Sequence, residues 1–270
     1  MILLEKRIKY KPGGIIKIKP IFDVHFGSKF CDVTEFKTFL RDAFTENTYF
    51  IGGGDLLDSI IVKDAKRYRK SGDDMEGDDI IDQQIDKMVD MLMPYKEKII
   101  GLCSGNHEDT ITKRCSTNPM KRICKALDVP FLGFSCLVRL ILEKEGGGGI
   151  RTLVIREHHG WGGGSRTRGA NITKYERDIG KWDADIFLYG HVHQKQYDRV
   201  PRLGIGGQRG AVKLMSRPTI MCICGTYLKT FSETADPTYS EAKGFPPAEI
   251  GGITIKIKPT NLSYKLWAEL

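Results

Sequence analysis

The sequence has no apolar run approaching the roughly 20 residues needed to cross a bilayer, so no membrane partner is expected. Its opening, Met1-Ile2-Leu3-Leu4-Glu5-Lys6-Arg7, has no charged leader ahead of a long apolar stretch. A secretory signal is therefore not expected, and the cytoplasm is the default location. A disulfide framework is also missing. The seven cysteines, Cys31, Cys103, Cys115, Cys124, Cys136, Cys222 and Cys224, are odd in number and scattered, which argues for a reducing compartment. Cys222 and Cys224 have no second pair at zinc-finger spacing, so small buried hydrophobes are the better reading of them. No internal repeat and no linker divides the chain. One domain over residues 1–270 is expected, with a motif-bearing core over about 15–195 and a strand-rich part over about 196–270 that completes a second sheet.

What is present is ordinary in bulk: 40% hydrophobic and 28% charged residues suit a soluble globular protein. Lys plus Arg is 42 against 34 Asp plus Glu, a net charge of +8. Such a balance attracts polyanions, of which nucleic acid is the usual one. The charge is spread along the chain, which weakens that signal.

Local patterns give a coarse reading. Gly14 to Phe22 alternates and is rich in β-branched residues, which predicts a strand running into Asp23. Phe36, Phe39, Leu40, Ala43 and Phe44 fall at helical spacing, predicting a helix over about 33–46. Thr48 to Ile51 reads as a strand, and Ile81, Ile85, Met88, Val89 and Leu92 mark a helix that stops near Pro94. Lys98 to Cys103 is another strand, followed by a helical stretch to about Leu127. Phe131 to Leu142 and Ile150 to Arg156 read as a hairpin joined by Gly146 to Gly149. A helix over 171–182 and a strand at Asp185 to Tyr189 follow, and the chain beyond about Lys195 is mainly strand. This order predicts an α/β fold of two packed sheets with helices outside.

The histidines carry the functional signal. His25, His107, His158, His159, His191 and His193 each lie just after a predicted strand, beside Gly, Asp or Asn. Strand-end loops are where a rigid scaffold holds functional groups. In Asp23-Val24-His25, residues two apart share a face of an extended segment, so a carboxylate and an imidazole can point at one ion. Gly53-Gly54-Asp55-Leu56-Leu57-Asp58 presents Asp55 on a glycine turn, and a carboxylate can bridge two cations. Gly105-Asn106-His107-Glu108 offers a neutral carbonyl oxygen and a group that donates a proton near neutral pH. His158-His159-Gly160 and Gly190-His191-Val192-His193 complete the set.

Each motif alone is weak, but the five in this order resemble the calcineurin-like metallophosphoesterase superfamily, over roughly Ile21 to His193. The resemblance implies that superfamily's two-sheet fold and a binuclear centre. One metal would be held by Asp23, His25, Asp55 and His193, the other by Asp55, Asn106, His191 and one histidine of the 158–159 pair. His159 is favoured because the family's ligand stands directly before glycine, leaving His158 as a neighbour. A hydroxide bridging the metals would be the nucleophile. His107 would contact the substrate phosphate and protonate the leaving oxygen, and Asp58 would support the site without being a ligand. Nitrogen and oxygen donors without thiolate suit Mn, Fe, Co, Ni or Zn, and Mn²⁺ is the family's first trial.

Substrate recognition is less legible. Arg166 and Arg168, in the glycine-rich segment after the histidine pair, can grip a phosphate bidentately or belong to a solvated loop. Trp161 can stack on a base, although packing is the better reading. Lys66-Arg67-Tyr68-Arg69-Lys70, Lys113-Arg114 and Lys121-Arg122 can line a nucleic-acid path, although solvated faces are commoner. The expectation is a metal-dependent phosphoesterase, a hydrolase acting as phosphodiesterase or nuclease on nucleic acid or nucleotides. A phosphatase acting on monoesters of a protein, nucleotide or metabolite is the alternative. A non-catalytic scaffold of the same fold comes third, since such proteins tend to lose motif residues and this chain keeps them. The sequence carries no signal for the oligomeric state.

Overall fold

A computed structural model describes residues 1–44, 47–60, 77, 79–165, 167–206, 211–233, 237–261 and 263–270, and only the backbone of Ala43 and Arg168. One alternating run shows how sequence becomes layer. In β2 (Ile16–Ile21), Ile16 and Ile18 are fully buried on one face. Lys19 on the other face is 2% exposed, because its Nζ donates to Phe39 O at 2.6 Å and pairs with Asp42 at 3.1 Å. The stem lies under helix α1 (Val33–Arg41), whose Phe39 ring sits 3.9 Å from that Nζ. A lysine thus closes the helix–sheet joint by satisfying a helix-end carbonyl.

Parallel pairing extends β2 through β3 (Thr48–Gly52) to β4 (Ile99–Leu102). The antiparallel β10 (Thr254–Pro259) and β11 (Tyr264–Glu269) complete a five-stranded sheet, ordered β11-β10-β2-β3-β4. The second sheet has six strands: β1 (Ile2–Tyr10), β5 (Ser135–Lys144), β6 (Ile150–His158), β7 (Ile186–Tyr189), β8 (Lys195–Gly206) and β9 (Lys213–Cys224), in the order β1-β5-β6-β7-β9-β8. Ile16, Ile18, Ile51, Ile100, Ile255 and Ile257 from the first sheet pack on Val138, Leu140, Leu153, Ile155, Ile186, Leu188 and Ile220 from the second. Helices α1, α2 (Ile80–Leu92) and α4 (Pro119–Leu127) cover the outer face of the first sheet through Phe36, Ile85, Met88, Met120 and Ile123. Helix α5 (Arg168–Ile179) covers the second through Tyr175 and Ile179 on Phe187, Tyr189 and Ile223. The architecture is mixed α/β, two packed sheets flanked by helices, as the element order implied.

Several local expectations need correction. The helix over 33–46 ends as an α-helix at Arg41 and continues as a 3₁₀ turn at Asp42–Phe44. The single helical stretch to Leu127 is two helices, α3 (Asn106–Cys115) and α4. Ser116 turns left-handed at φ 53°, and Asn118 caps a new start by accepting from Lys121 N–H at 2.8 Å, with Pro119 in its first turn. Proline suits a first turn and breaks a helix interior, so the chain must restart there. The helix over 171–182 runs three residues earlier, over Arg168–Ile179. The part after Lys195 does not complete one sheet but serves both, β8 and β9 in one and β10 and β11 in the other, and it includes a short helix α6 (Tyr239–Ala242). Strand β1 escaped the sequence reading because it is a charged edge strand in which only Ile8 and Tyr10 are buried.

Candidate metal centre

Every motif loop leaves the C-terminal end of a strand that has a parallel neighbour. Asp23 and His25 follow β2, Asp55 follows β3, and Asn106 and His107 follow β4. His159 follows β6, and His191 and His193 follow β7. Ligand sites of parallel sheets form at those ends. The two sets of loops are tied across the sheets. His191 N–H donates to Asp23 Oδ2 at 2.7 Å, and the His159 ring Nδ1–H donates to Gly53 O at 2.9 Å.

The side chains converge because the backbone bends sharply beneath them. Asp23, His25, Asp55, His191 and His193 all have positive φ, from 49° to 70°. That region costs an L-residue roughly 1–2 kcal/mol, and such outliers persist only where surrounding contacts hold them. Glycine makes room beside them. A Cβ on Gly105 would lie 2.0 Å from Asp55 Oδ1, and one on Gly190 would lie 2.6 Å from Asp23 Oδ2.

The result is two adjoining groups of donor atoms. Asp23 Oδ1 is buried without a hydrogen-bond partner among the described residues, 3.9 Å from His25 Nε2 and 3.8 Å from His193 Nε2. The two imidazole nitrogens are themselves 3.0 Å apart. In the second group, His159 Nε2 lies 3.2 Å from Asp55 Oδ2 and 3.0 Å from Asn106 Oδ1, with His191 close by. Its Nδ1 is committed to a carbonyl, which only accepts, so Nε2 faces these oxygens. Converging lone pairs of this kind repel one another unless a proton or a cation sits among them. Asp23 with His25 and His193, and Asp55 with His159 and His191, are groups able to hold a metal ion. The donors are N and O throughout, which fits a Mn, Fe, Co, Ni or Zn ion.

The electrostatics follow from burial. Burial, opposed by His159, pushes the Asp23 carboxyl up to about 7. Burial would raise Asp55 as well, but His159 and His107 hold it well below the usual carboxylate range. Burial works against charge on His159, and the adjacent Asp55 overrides it, raising that imidazole to about 10. Burial and the His159 charge push His191 down to about 4, and burial with His25 pushes His193 well below its usual value. Neutral His191 and His193 keep a lone pair at neutral pH, the form in which imidazole binds metal.

Two residues hold the rest in place. Glu108 is fully buried, and its carboxylate accepts N–H bonds from Asp55 at 3.0 Å, Leu57 at 3.0 Å and Gly105 at 2.9 Å. It fastens the loop after β3 to the loop after β4. From the sequence alone Glu108 is one member of its motif, with no role of its own. A glutamate two residues past Asn106, at the third position of a helix, was the available signal. Asp58 O accepts from His107 Nδ1 at 2.5 Å, and Asp58 Oδ1 lies 3.6 Å from His25 Nδ1. Asp58 therefore touches two histidines and belongs to neither donor group.

The remaining expectations divide. His158 points away from the donors: its Nδ1 accepts from Gly160 N–H at 2.9 Å, and its ring packs on Phe134 and Trp161. Trp161 is packed edge-on against Tyr175 and Tyr189. Lys113 pairs with Asp109, Arg122 with Asp82, and Lys121 lies over Phe131. Arg166 and the run from Lys66 to Lys70 lie outside the described residues, as does the side chain of Arg168. The donors open instead into a cleft of about 870 Å³ whose walls include Lys29, Phe30, Lys229, Tyr239, Lys243 and Phe245. None of these six carried a motif, and they come from distant parts of the chain.

Two outcomes are expected. Glu108→Gln cannot accept all three N–H bonds and should cost about 1–3 kcal/mol, a fall in Tm of roughly 2–10 °C; an unchanged melting curve would mean those groups have other partners. By metal analysis, His159→Ala should lower the metal bound by the chain while His158→Ala leaves it unchanged, and the reverse would exchange their roles.

No protein-family model and no curated protein matches the chain. Among solved structures it is similar to a conserved uncharacterized protein of Streptococcus pneumoniae described as a predicted phosphoesterase, at 13% identity over 95% of this chain and 99% of that one, with a TM-score of 0.35. It is similar also to Vps29 of Entamoeba histolytica complexed with Zn²⁺, at 13% identity over 94% and 98%, with a TM-score of 0.36. At such scores these likenesses add nothing to what the strands and donor atoms show. The resemblance to calcineurin-like metallophosphoesterases, first carried by five motifs, extends here to two packed sheets flanked by helices and to grouped His and Asp donors able to hold metal.

Proposed function

We propose that this chain is a metal-dependent phosphoesterase with a binuclear centre, cleaving phosphodiesters of nucleic acids or nucleotides. One observation carries the reading: two donor groups stand side by side at the floor of an open cleft, with Asp55 between them. Asp23, His25, Asp55 and His193 would hold one ion, and Asp55, Asn106, His159 and His191 the other. Ions bound there would neutralise an anionic ester and lower the pKa of bound water.

The chain's own groups do the rest. His107 lines the cleft, and the Asp58 carbonyl fixes its Nδ1–H, so Nε2 is the atom free to meet a phosphate oxygen. As an imidazolium it would give its Nε2 proton to the departing oxygen and be left as the neutral ring, with Nδ1–H still on the Asp58 carbonyl. Asp58 fixes His107 through its carbonyl, and its carboxylate lies 3.6 Å from His25 Nδ1, close enough to favour charge on that ring. Glu108 keeps Asp55 against Asn106, so the bridging carboxylate and the amide ligand move as one unit.

The cleft walls favour nucleotide chemistry. Lys29, Lys229 and Lys243 make the cleft wall basic, Lys229 being paired with Asp32 at 3.2 Å, while Phe30, Tyr239 and Phe245 add aromatic faces. Lysines attract phosphates, and aromatic rings stack on bases of any sequence. A retained, open donor set with His107 in place weighs against a purely scaffolding role.

Mn²⁺-loaded protein should turn over bis-p-nitrophenyl phosphate faster than p-nitrophenyl phosphate. His107→Ala should lower that rate by roughly 10²–10⁴-fold with metal content unchanged. Preference for the monoester would indicate a phosphatase, and no turnover with two ions bound would favour the scaffold. Binding of single-stranded DNA to the His107→Ala protein should weaken roughly 20-fold for a fourfold rise in salt if three lysines meet phosphates; salt-independent binding would remove the nucleic-acid reading.

A further inference from the structure

Directly behind the cleft, between the two sheets, lies a second kind of donor cluster. Cys103 follows β4, Cys136 lies on β5, and Glu157 stands opposite Cys136 on β6. All three are fully buried. The two sulfurs are 4.0 Å apart, Cys136 Sγ is 3.4 Å from Glu157 Oε2, and the three donor atoms lie within 4.8 Å of one another. Glu157 Oε1 is buried with no hydrogen-bond partner among the described residues. A carboxylate left in an apolar interior with an orphaned oxygen is costly.

Those spacings match a metal polyhedron. Tetrahedral zinc, with Zn–S of about 2.3 Å and Zn–O of about 2.0–2.2 Å, puts sulfurs about 3.8 Å apart and sulfur about 3.5 Å from oxygen. Buried cysteines brought together only by packing have no reason to include a carboxylate at the same spacing.

We propose that Cys103, Cys136 and Glu157 form a third metal site, which takes a zinc-like divalent cation through two thiolates and a carboxylate oxygen. Binding displaces the two thiol protons and any carboxyl proton to solvent. One negative charge then remains on the cluster, and the guanidinium of the neighbouring Arg156, 4% exposed and stacked over Trp182, offsets it. The ion links the two sheets where it matters, since Cys103 is three residues before Asn106 and Glu157 two before His159. Being sealed from solvent, it enters as the chain folds and outlasts the cleft ions under a chelator.

The test is refolding the full chain in Co²⁺ and recording the near-ultraviolet spectrum. A thiolate-to-cobalt charge-transfer band is expected, and the cleft donors, being nitrogen and oxygen, contribute nothing to it. Its outcome is therefore independent of the phosphoesterase reading. Cys103→Ser should halve the band, and Cys115→Ser, at an exposed position, should leave it unchanged. No band in the unaltered chain, or one that Cys103→Ser leaves at full strength, would leave two thiols and a protonated carboxyl in the core and overturn the proposal. Should Cys103→Ser fail to fold, X-ray absorption of the unaltered zinc-loaded chain decides: sulfur at about 2.3 Å supports the site, and only nitrogen and oxygen scatterers refute it.

Discussion

Groups that repel one another must be crowded together before any cation can gather them, and most features of the cleft floor serve that requirement. Asp23 and Asp55 are both buried, with five imidazoles around them. The fold supplies the restraint through ordinary hydrogen bonds that leave the working atoms unspent. Glu108 holds three backbone N–H groups, Gly53 O holds the back of His159, and Asp58 O holds the back of His107. Each fixes a side chain by the atom that chemistry does not need.

This arrangement makes the site a property of the sheet–sheet interface. Asp23, His25, Asp55 and Asn106 come from the five-stranded sheet, and His159, His191 and His193 from the six-stranded one. Asp23 with His25 and His193, and Asp55 with His159 and His191, each draw donors from both sheets. The isoleucine and valine layer between them sets the registration of the two halves. A loss of packing there reaches the cleft without any donor being altered.

What could be read from the sequence was what is local in it. The five motifs are each two to six residues long, and strand periodicity brackets them, so their residue types, spacing and placement at strand ends were all visible. The preference for His159 over His158 came from its glycine neighbour, and the backbone turns at that glycine with φ 124°. Glu108 was seen but not understood, because its partners at Asp55 and Leu57 lie about 50 residues away. The division of α3 from α4 was readable in Asn118-Pro119 and was missed because helical spacing continued past it. The pairing of Cys103 with Cys136 and Glu157 depends on two sheets meeting face to face, and no spacing along the chain encodes that. The cleft walls were hidden for the same reason: Lys29 and Phe245 are far apart in sequence and adjoin only through the fold.

The left-handed backbone at Asp23, His25, Asp55, His191 and His193 has a consequence for how this protein can change. At all five positions glycine would relax the chain, and at all five it would delete a donor. Drift toward greater durability therefore runs downhill in the direction that erases the centre. A descendant that kept the sheets but lost its chemistry would be expected to carry glycine or asparagine at these turns and to melt later than its parent.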